Sequence, residues 1–267
     1  MAAFLEYAFL QRALVVGLLI AVACAVLGVF LVLRRDAMIG HGLSHITFAG
    51  VALGLLVRRL PLAVAFVFSV AAAWALVKLK SKAGLHGDTA LAVLSSGGLA
   101  LGIVLASVAK TYDAGLLSYL FGEILAISKG EVLLAAALTA AVVGIVLGLL
   151  NKLLFVTFDR ESARASGLAV ERLDTVLTVL TAVTIVLGMR VVGILLVSAL
   201  IVIPAAAALQ VATSFRGALL VAAAFAALSV VAGLMAAYAL DLPASGAIVL
   251  VGLVLFGGAT AFRARPT

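Results

Sequence analysis

"GVFLVLRRDAMIGHGLSHITFAGVALG", Gly28 to Gly54, decides the fold. One apolar run ends at Leu33, the charged triplet Arg34-Arg35-Asp36 follows, and a second run starts at Met38 and carries His41 and His45. Both runs extend beyond the quoted stretch far enough to cross a bilayer, which takes ~20 residues per helix. Backbone groups in hydrocarbon must be satisfied within the segment, so the runs are helices. They are apolar all round, without the alternation of a barrel strand. The stretch is a transmembrane hairpin with a charged tip.

The rest of the chain repeats this pattern. Of 267 residues, 66% are hydrophobic, against roughly 45–50% in soluble domains, and the mean hydropathy is +1.38. The expectation is an all-α, polytopic membrane protein forming one transmembrane domain over 1–267, with no room for a separate soluble domain. Nine spans are read at 13–33, 38–57, 62–79, 89–109, 131–150, 173–190, 193–212, 217–240 and 245–262, with eight as the alternative. "MAAFLEYAFLQR" at the start is a poor signal peptide, and the run after it is of spanning length. Cys24 is the single cysteine, so no internal disulfide forms.

The net charge of +7 does not point to nucleic acid. Basic residues gather in short connections, as the positive-inside rule requires. With the N-terminus outside, the outer segments hold Arg12, Arg58, Arg59, Lys110, Lys129 and Arg190, six of the 18 Lys and Arg residues, and the inner segments hold the other twelve. The bias predicts N-out and C-in. "DAGLLSYLFGEILAISKGE" (113–131) is too short and polar to cross alone and reads as an outer half-helix or re-entrant element. Gly50/Gly54, Gly98/Gly102 and Gly144/Gly148 have the spacing that lets helices approach closely. Pro204 is expected to kink or interrupt its span.

Three features carry chemistry. In "TFDRESARASGL", Asp159 is an N-cap, 160–166 make two turns and Gly167 closes them. On composition alone this is an ordinary solvated connection. No G-x-x-x-x-G-K-[ST] occurs, so any ATP hydrolysis belongs to another chain. Ser44 beside His45 raises an intramembrane protease, but adjacent helix residues point about 100° apart, which does not make a dyad. His41 and His45, two of only three histidines, share a helix face at i, i+4. His45 lies about eight residues into its span, ~12 Å along a ~30 Å core. Ionisable groups at that depth are costly and face a bundle interior or an aqueous path. Interhelical hydrogen bonding and metal ligation both fit the pair. The third histidine, His86, sits at an inner helix start beside Asp88, which reads as a cap rather than a ligand.

At these residues the chain resembles the membrane permease of bacterial and archaeal ABC importers for zinc, manganese or iron. The opening hairpin is similar to that family's first, and "GDTALAVL", "YLFGEILAIS", "TFDRESARASGL", "RVVGILLVSALIVIPAAAALQVA" and "DLPASGAIVLVGLVLF" follow in the family's order, over about 9–262. The resemblance implies a type II importer-like permease in the prokaryotic cell membrane. Its implied partners are a second copy of itself, a cytoplasmic ATPase pair and an extracytoplasmic metal-binding protein. It implies no permanently bound cofactor, and zinc, manganese or iron as cargo. It makes about 155–170 the coupling loop, with Asp159, Arg160, Glu161, Ala163, Arg164 and Gly167 as the residues that engage the ATPase. Where the family has Asp-x-x-x-His, this chain has His41-x-x-x-His45. His45 carries over directly, and His41 replaces a carboxylate, which tilts the preference towards zinc because borderline imidazole suits it. Glu123 in "YLFGEIL" stands where relatives often carry an acidic or small polar residue and reads either as an entry-side ligand or as a solvated outer charge. The rivals are a permease for an organic iron chelate or cobalamin, which needs a wide cavity without metal ligands, and a secondary carrier working without an ATPase.

Overall fold

A computed structural model of the chain describes residues 7–58, 60–82, 87–109, 119–120, 122 and 127–263. Among these residues there are helices and no strands. In chain order they are α1 (Ala8–Leu33), α2 (Met38–Leu56), α3 (Pro61–Lys82), α4 (Gly87–Ala109), α5 (Lys129–Gly148), α6 (Leu150–Phe158), α7 (Arg160–Ala165), α8 (Val170–Val192), α9 (Ile194–Val211), α10 (Phe215–Leu240) and α11 (Ala244–Arg263). Among the described residues nine of these helices, all but α6 and α7, are long and apolar enough to cross a membrane. They are the nine spans expected from the sequence. The half-helix expected over 113–131 lies largely outside the described residues.

Local chemistry sets the ends. Pro61 opens α3, where its missing N–H would be unpaired anyway. Ser128 and Glu131 form a reciprocal cap on α5: the Ser128 N–H donates to Glu131 Oε2 at 2.8 Å, and the Glu131 N–H donates to Ser128 Oγ at 3.3 Å. The other oxygen, Glu131 Oε1, holds Arg190 Nε at 2.8 Å. This cap starts α5 at Lys129, two residues before the sequence expectation. Gly193, with φ +85°, is the single residue separating α8 from α9, a conformation that suits glycine.

The chain forms two compact units, divided at the end of α1, between α4 and α5, and inside α5 and α8. The first comprises Leu33–Leu117 and Gly144–Leu187. Here α2 packs on both α3 and α4. A Cβ on Gly50 would lie 2.7 Å from the Ala65 Cα, and one on Gly98 would lie 2.9 Å from the Ile46 Cα. These glycines permit close approach, whereas a Cβ added at Gly144 or Gly148 would meet nothing within 4 Å among the described residues. Thr47 Oγ1 sits 2.9 Å from Ser69 Oγ, a buried hydroxyl pair joining α2 to α3.

The second unit comprises Met1–Val32, Ser118–Val143 and Gly188–Thr267. In it α9, α10 and α11 pack on one another. Pro204 is buried within α9, which runs through it without interruption. Proline removes one ladder donor, and the surrounding helices hold the turn in place. Gly28 of α1 meets α9 one turn earlier: an added Cβ would overlap the Ile201 carbonyl and lie 3.1 Å from the Ala205 Cβ. Because a backbone atom blocks it, Gly28→Ala should force α1 and α9 apart, at about 1–3 kcal/mol. Thermal unfolding in detergent should show a clearly lowered Tm. An unchanged Tm would mean the two helices have slack the structure does not show.

Candidate metal path and coupling loop

On α2, every residue from Ile39 to Ala52 is buried except His41, which is exposed, and His45, which is half-buried. Packing against α3 and α4 therefore covers the helix from Ile39 to Ala52 but for the histidine face. The two Nε2 atoms lie 3.1 Å apart and the rings meet edge to face, with centroids 4.6 Å apart. One imidazole donates and the other accepts. A tetrahedral zinc about 2.0–2.1 Å from each nitrogen sets neighbouring ligands about 3.3–3.4 Å apart. The observed separation is a little shorter and the hydrogen bond lies on the line between the nitrogens, so both rings turn slightly to aim their lone pairs at an ion beside that line.

Ser44 lies on the buried side of the helix. Its hydroxyl is 1% exposed and donates to the Gly40 carbonyl at 2.8 Å. It is a back-bonded helix serine, and the protease reading has no geometric support. Glu123 and His86 lie outside the described residues, as does the side chain of Asp88. Among the described residues no three His, Cys, Asp or Glu side chains come together as a metal cluster. One copy of the chain thus assembles two imidazoles on one face.

The second element is α7. Asp159 is extended at the N-cap, and its Oδ1 accepts the Ser162 N–H at 2.9 Å. Hydrogen bonds from Ser162 hold the Asp159 carboxyl below its ordinary range. At the other end the Gly167 N–H donates to the Arg164 carbonyl at 3.0 Å and the Leu168 N–H to the Ala163 carbonyl at 3.1 Å. With Gly167 at φ +81°, this is a Schellman closure. The helix is thus capped at both ends by the residues the sequence marks. Arg160, Glu161, Arg164 and Ala165 are exposed, while Ala163 is fully buried against its own chain. Ala163 is therefore the seat of α7 on its unit, and the surface offered outward is the arginine–glutamate face.

Sequence reasoning missed the contacts beneath this helix. Arg34 Nη1 donates to Asp174 Oδ1 at 2.9 Å, Nε to Thr157 Oγ1 at 2.8 Å and Nη2 to the Leu153 carbonyl at 3.2 Å. Arg160 pairs with the second oxygen, Asp174 Oδ2. Burial lowers the Arg34 pKa from its ordinary value and Asp174 opposes that shift. The available signal was weak: Asp174 follows Glu171 and Arg172 in the charged opening turns of its span, where an acidic residue is ordinary.

Comparison with known proteins now bears on these features. The profile of the ABC 3 transport family matches residues 6–263. The manganese transport system membrane protein MntC of Listeria monocytogenes is 31% identical over 252 residues, 94% of this chain and 90% of that protein. The high-affinity zinc uptake system membrane protein ZnuB of Haemophilus influenzae is 31% identical over 250 residues, 94% of this chain and 96% of that protein. The solved structure of PsaBC from Streptococcus pneumoniae in complex with Fab superposes with a TM-score of 0.85 at 31% identity, covering 97% of this chain and 94% of that one. With nine membrane-length helices and a match along nearly its whole length, the chain is a multi-pass membrane protein that belongs to the ABC 3 transport family.

Proposed function

We propose that the chain is the permease of an ATP-driven importer of divalent transition metal ions, with zinc as its cargo in preference to manganese or iron. The observation that carries this reading is the burial pattern of α2: two imidazoles near ligand separation form the only uncovered face along Ile39–Ala52. The relatives are named for manganese and zinc transport, so the metal class follows from likeness and the choice within it from ligand chemistry. Imidazole nitrogen favours zinc, while oxygen-rich sets favour manganese.

Two imidazoles are half of the roughly four ligands that zinc takes. A second copy facing the first across a two-fold axis would supply the other two, and the homodimer is part of this proposal. The chain carries no nucleotide-binding loop, so a separate cytoplasmic ATPase pair drives it, seated on the exposed face of α7. With the N-terminus outside and that loop inside, an extracytoplasmic binding protein loads the ion. ATP binding then switches the accessible side, and the ion leaves inward.

The test is uptake of radioactive zinc into proteoliposomes holding the permease, the ATPase and the loaded binding protein. Uptake should require ATP and the ATPase chain, and unlabelled zinc should compete better than manganese. Uptake by the permease alone, driven by an ion gradient, would make it a secondary carrier and defeat the proposal. Stronger competition by manganese would reverse the cargo assignment.

A further inference from the structure

We propose that Asp174 is a positioning residue that ties the coupling loop to the foot of the histidine helix, so that a displacement of α7 reaches His41 and His45 through one buried carboxylate. The inference rests on reading 155–170 as the ATPase-coupling loop. The Asp174 side chain is 13% exposed, and each of its oxygens serves a different cation. Oδ1 holds Arg34, whose side chain is 7% exposed, and Oδ2 holds Arg160 of α7, which is 53% exposed. One carboxylate near the start of α8 therefore joins the mobile-facing helix to the connection between α1 and α2.

On the other side of the bridge the chain offers little slack. Arg34 is fixed by all three of its donor nitrogens, two of them on α6. A lysine cannot reproduce that fork. The next residue, Arg35, is held in a left-handed conformation at φ +59°, which only an over-determined turn retains. Asp36 then pairs with Lys80 of α3, and its carbonyl accepts the Ile39 N–H at 3.0 Å in the first turn of α2. His41 follows two residues later. From Arg160 to His41 the path is Asp174, Arg34, a strained residue and a pinned helix start, all within the unit Leu33–Leu117 and Gly144–Leu187.

The physical reason for a charged link is stiffness of a particular kind. Arg34 and Asp174 are both buried, so parting them leaves desolvated charges unpaired, which is strongly unfavourable. Arg160 is half-exposed and is solvated when it leaves, so the outer contact sets the position of α7 while the buried pair keeps the carboxylate in place. A carboxylate placed there only for stability makes a different prediction: its loss would lower the amount of active importer, leaving each remaining complex fully coupled.

The experiment measures zinc uptake and ATP hydrolysis in the same proteoliposomes, with the whole importer. Asp174→Asn keeps the side-chain shape and removes the charge. ATP hydrolysis should continue while zinc delivered per ATP falls about five-fold or more. Arg160→Gln, on the exposed arm, should lower the ratio in the same direction by less, and the double variant should be no worse than Asp174→Asn alone. If Asp174→Asn does not assemble, Arg160→Gln decides by itself. Uptake and hydrolysis falling in proportion, an unchanged ratio in Arg160→Gln, or multiplied losses in the double variant would each overturn the proposal. No uptake by the unsubstituted importer would instead overturn the import reading and this one with it.

Discussion

His45→Ala should reduce zinc uptake at trace metal to background, a loss of about 100-fold or more, since even residues behind a metal ligand are worth ~10–100-fold. Assembly with the ATPase should survive, because His45 is only half-buried and its removal opens no sealed cavity. The companion substitutions separate ligation from packing. His41→Asp keeps a donor and should retain transport, with manganese competing better than before. His41→Leu keeps bulk and loses the donor, and should transport poorly. A packing role gives the opposite order, since leucine suits an apolar interface and a buried aspartate is costly there. His41 is exposed, which leaves packing little to act on. Wild-type rates from His45→Ala, or leucine outperforming aspartate at position 41, would end the ligand claim.

Ala163→Trp should weaken the seating of the ATPase on the permease. Ala163 is fully buried beneath α7, and overfilling such a seat costs about 1–3 kcal/mol. A six-residue helix has few other contacts with which to resist, so it lifts from its unit. Stimulated ATP hydrolysis and zinc uptake should fall together, by about 10-fold for a loss of ~1.4 kcal/mol in docking. The amount of inserted permease should not change. Gly167 tests the same element from its end. Nothing lies within 4 Å of a Cβ added there, so Gly167→Val acts only through its φ of +81°. A β-branched residue resists that conformation, whereas asparagine tolerates it. Gly167→Val should lose coupling and Gly167→Asn keep most of it. Normal stimulated hydrolysis and uptake in both Ala163→Trp and Gly167→Val would show that the loop is not the coupling element. The expected signature differs from that of Asp174, where hydrolysis continues and the yield per ATP drops.

Much of this was legible in the linear chain because its physics is local. A span needs only its own ~20 apolar residues, since no neighbour is required to satisfy the backbone in lipid. All nine spans could therefore be read from composition along the chain. The caps of α7 are equally local: Asp159 and Gly167 act on backbone groups within a few residues, and both do what their types predict. The i, i+4 spacing put His41 and His45 on one face, and the rings meet as that spacing requires.

The tertiary structure decided what depends on a distant partner. Spacing could not tell that the histidine face is the one α3 and α4 leave uncovered, because that turns on which sides of α2 its neighbours occupy. Ala163 read as part of the docking face and points instead into its own unit, an orientation set by the body beneath α7. Pro204 was expected to kink or interrupt its span; α9 is not interrupted there, because packing outweighs a single missing donor. Gly144 and Gly148 share the spacing of the packing glycines but meet nothing among the described residues, since small residues permit contact without creating it. Arg34 and Asp174 stand 140 residues apart. No local rule joins them; the fold brings them together, and burial makes the pairing obligatory.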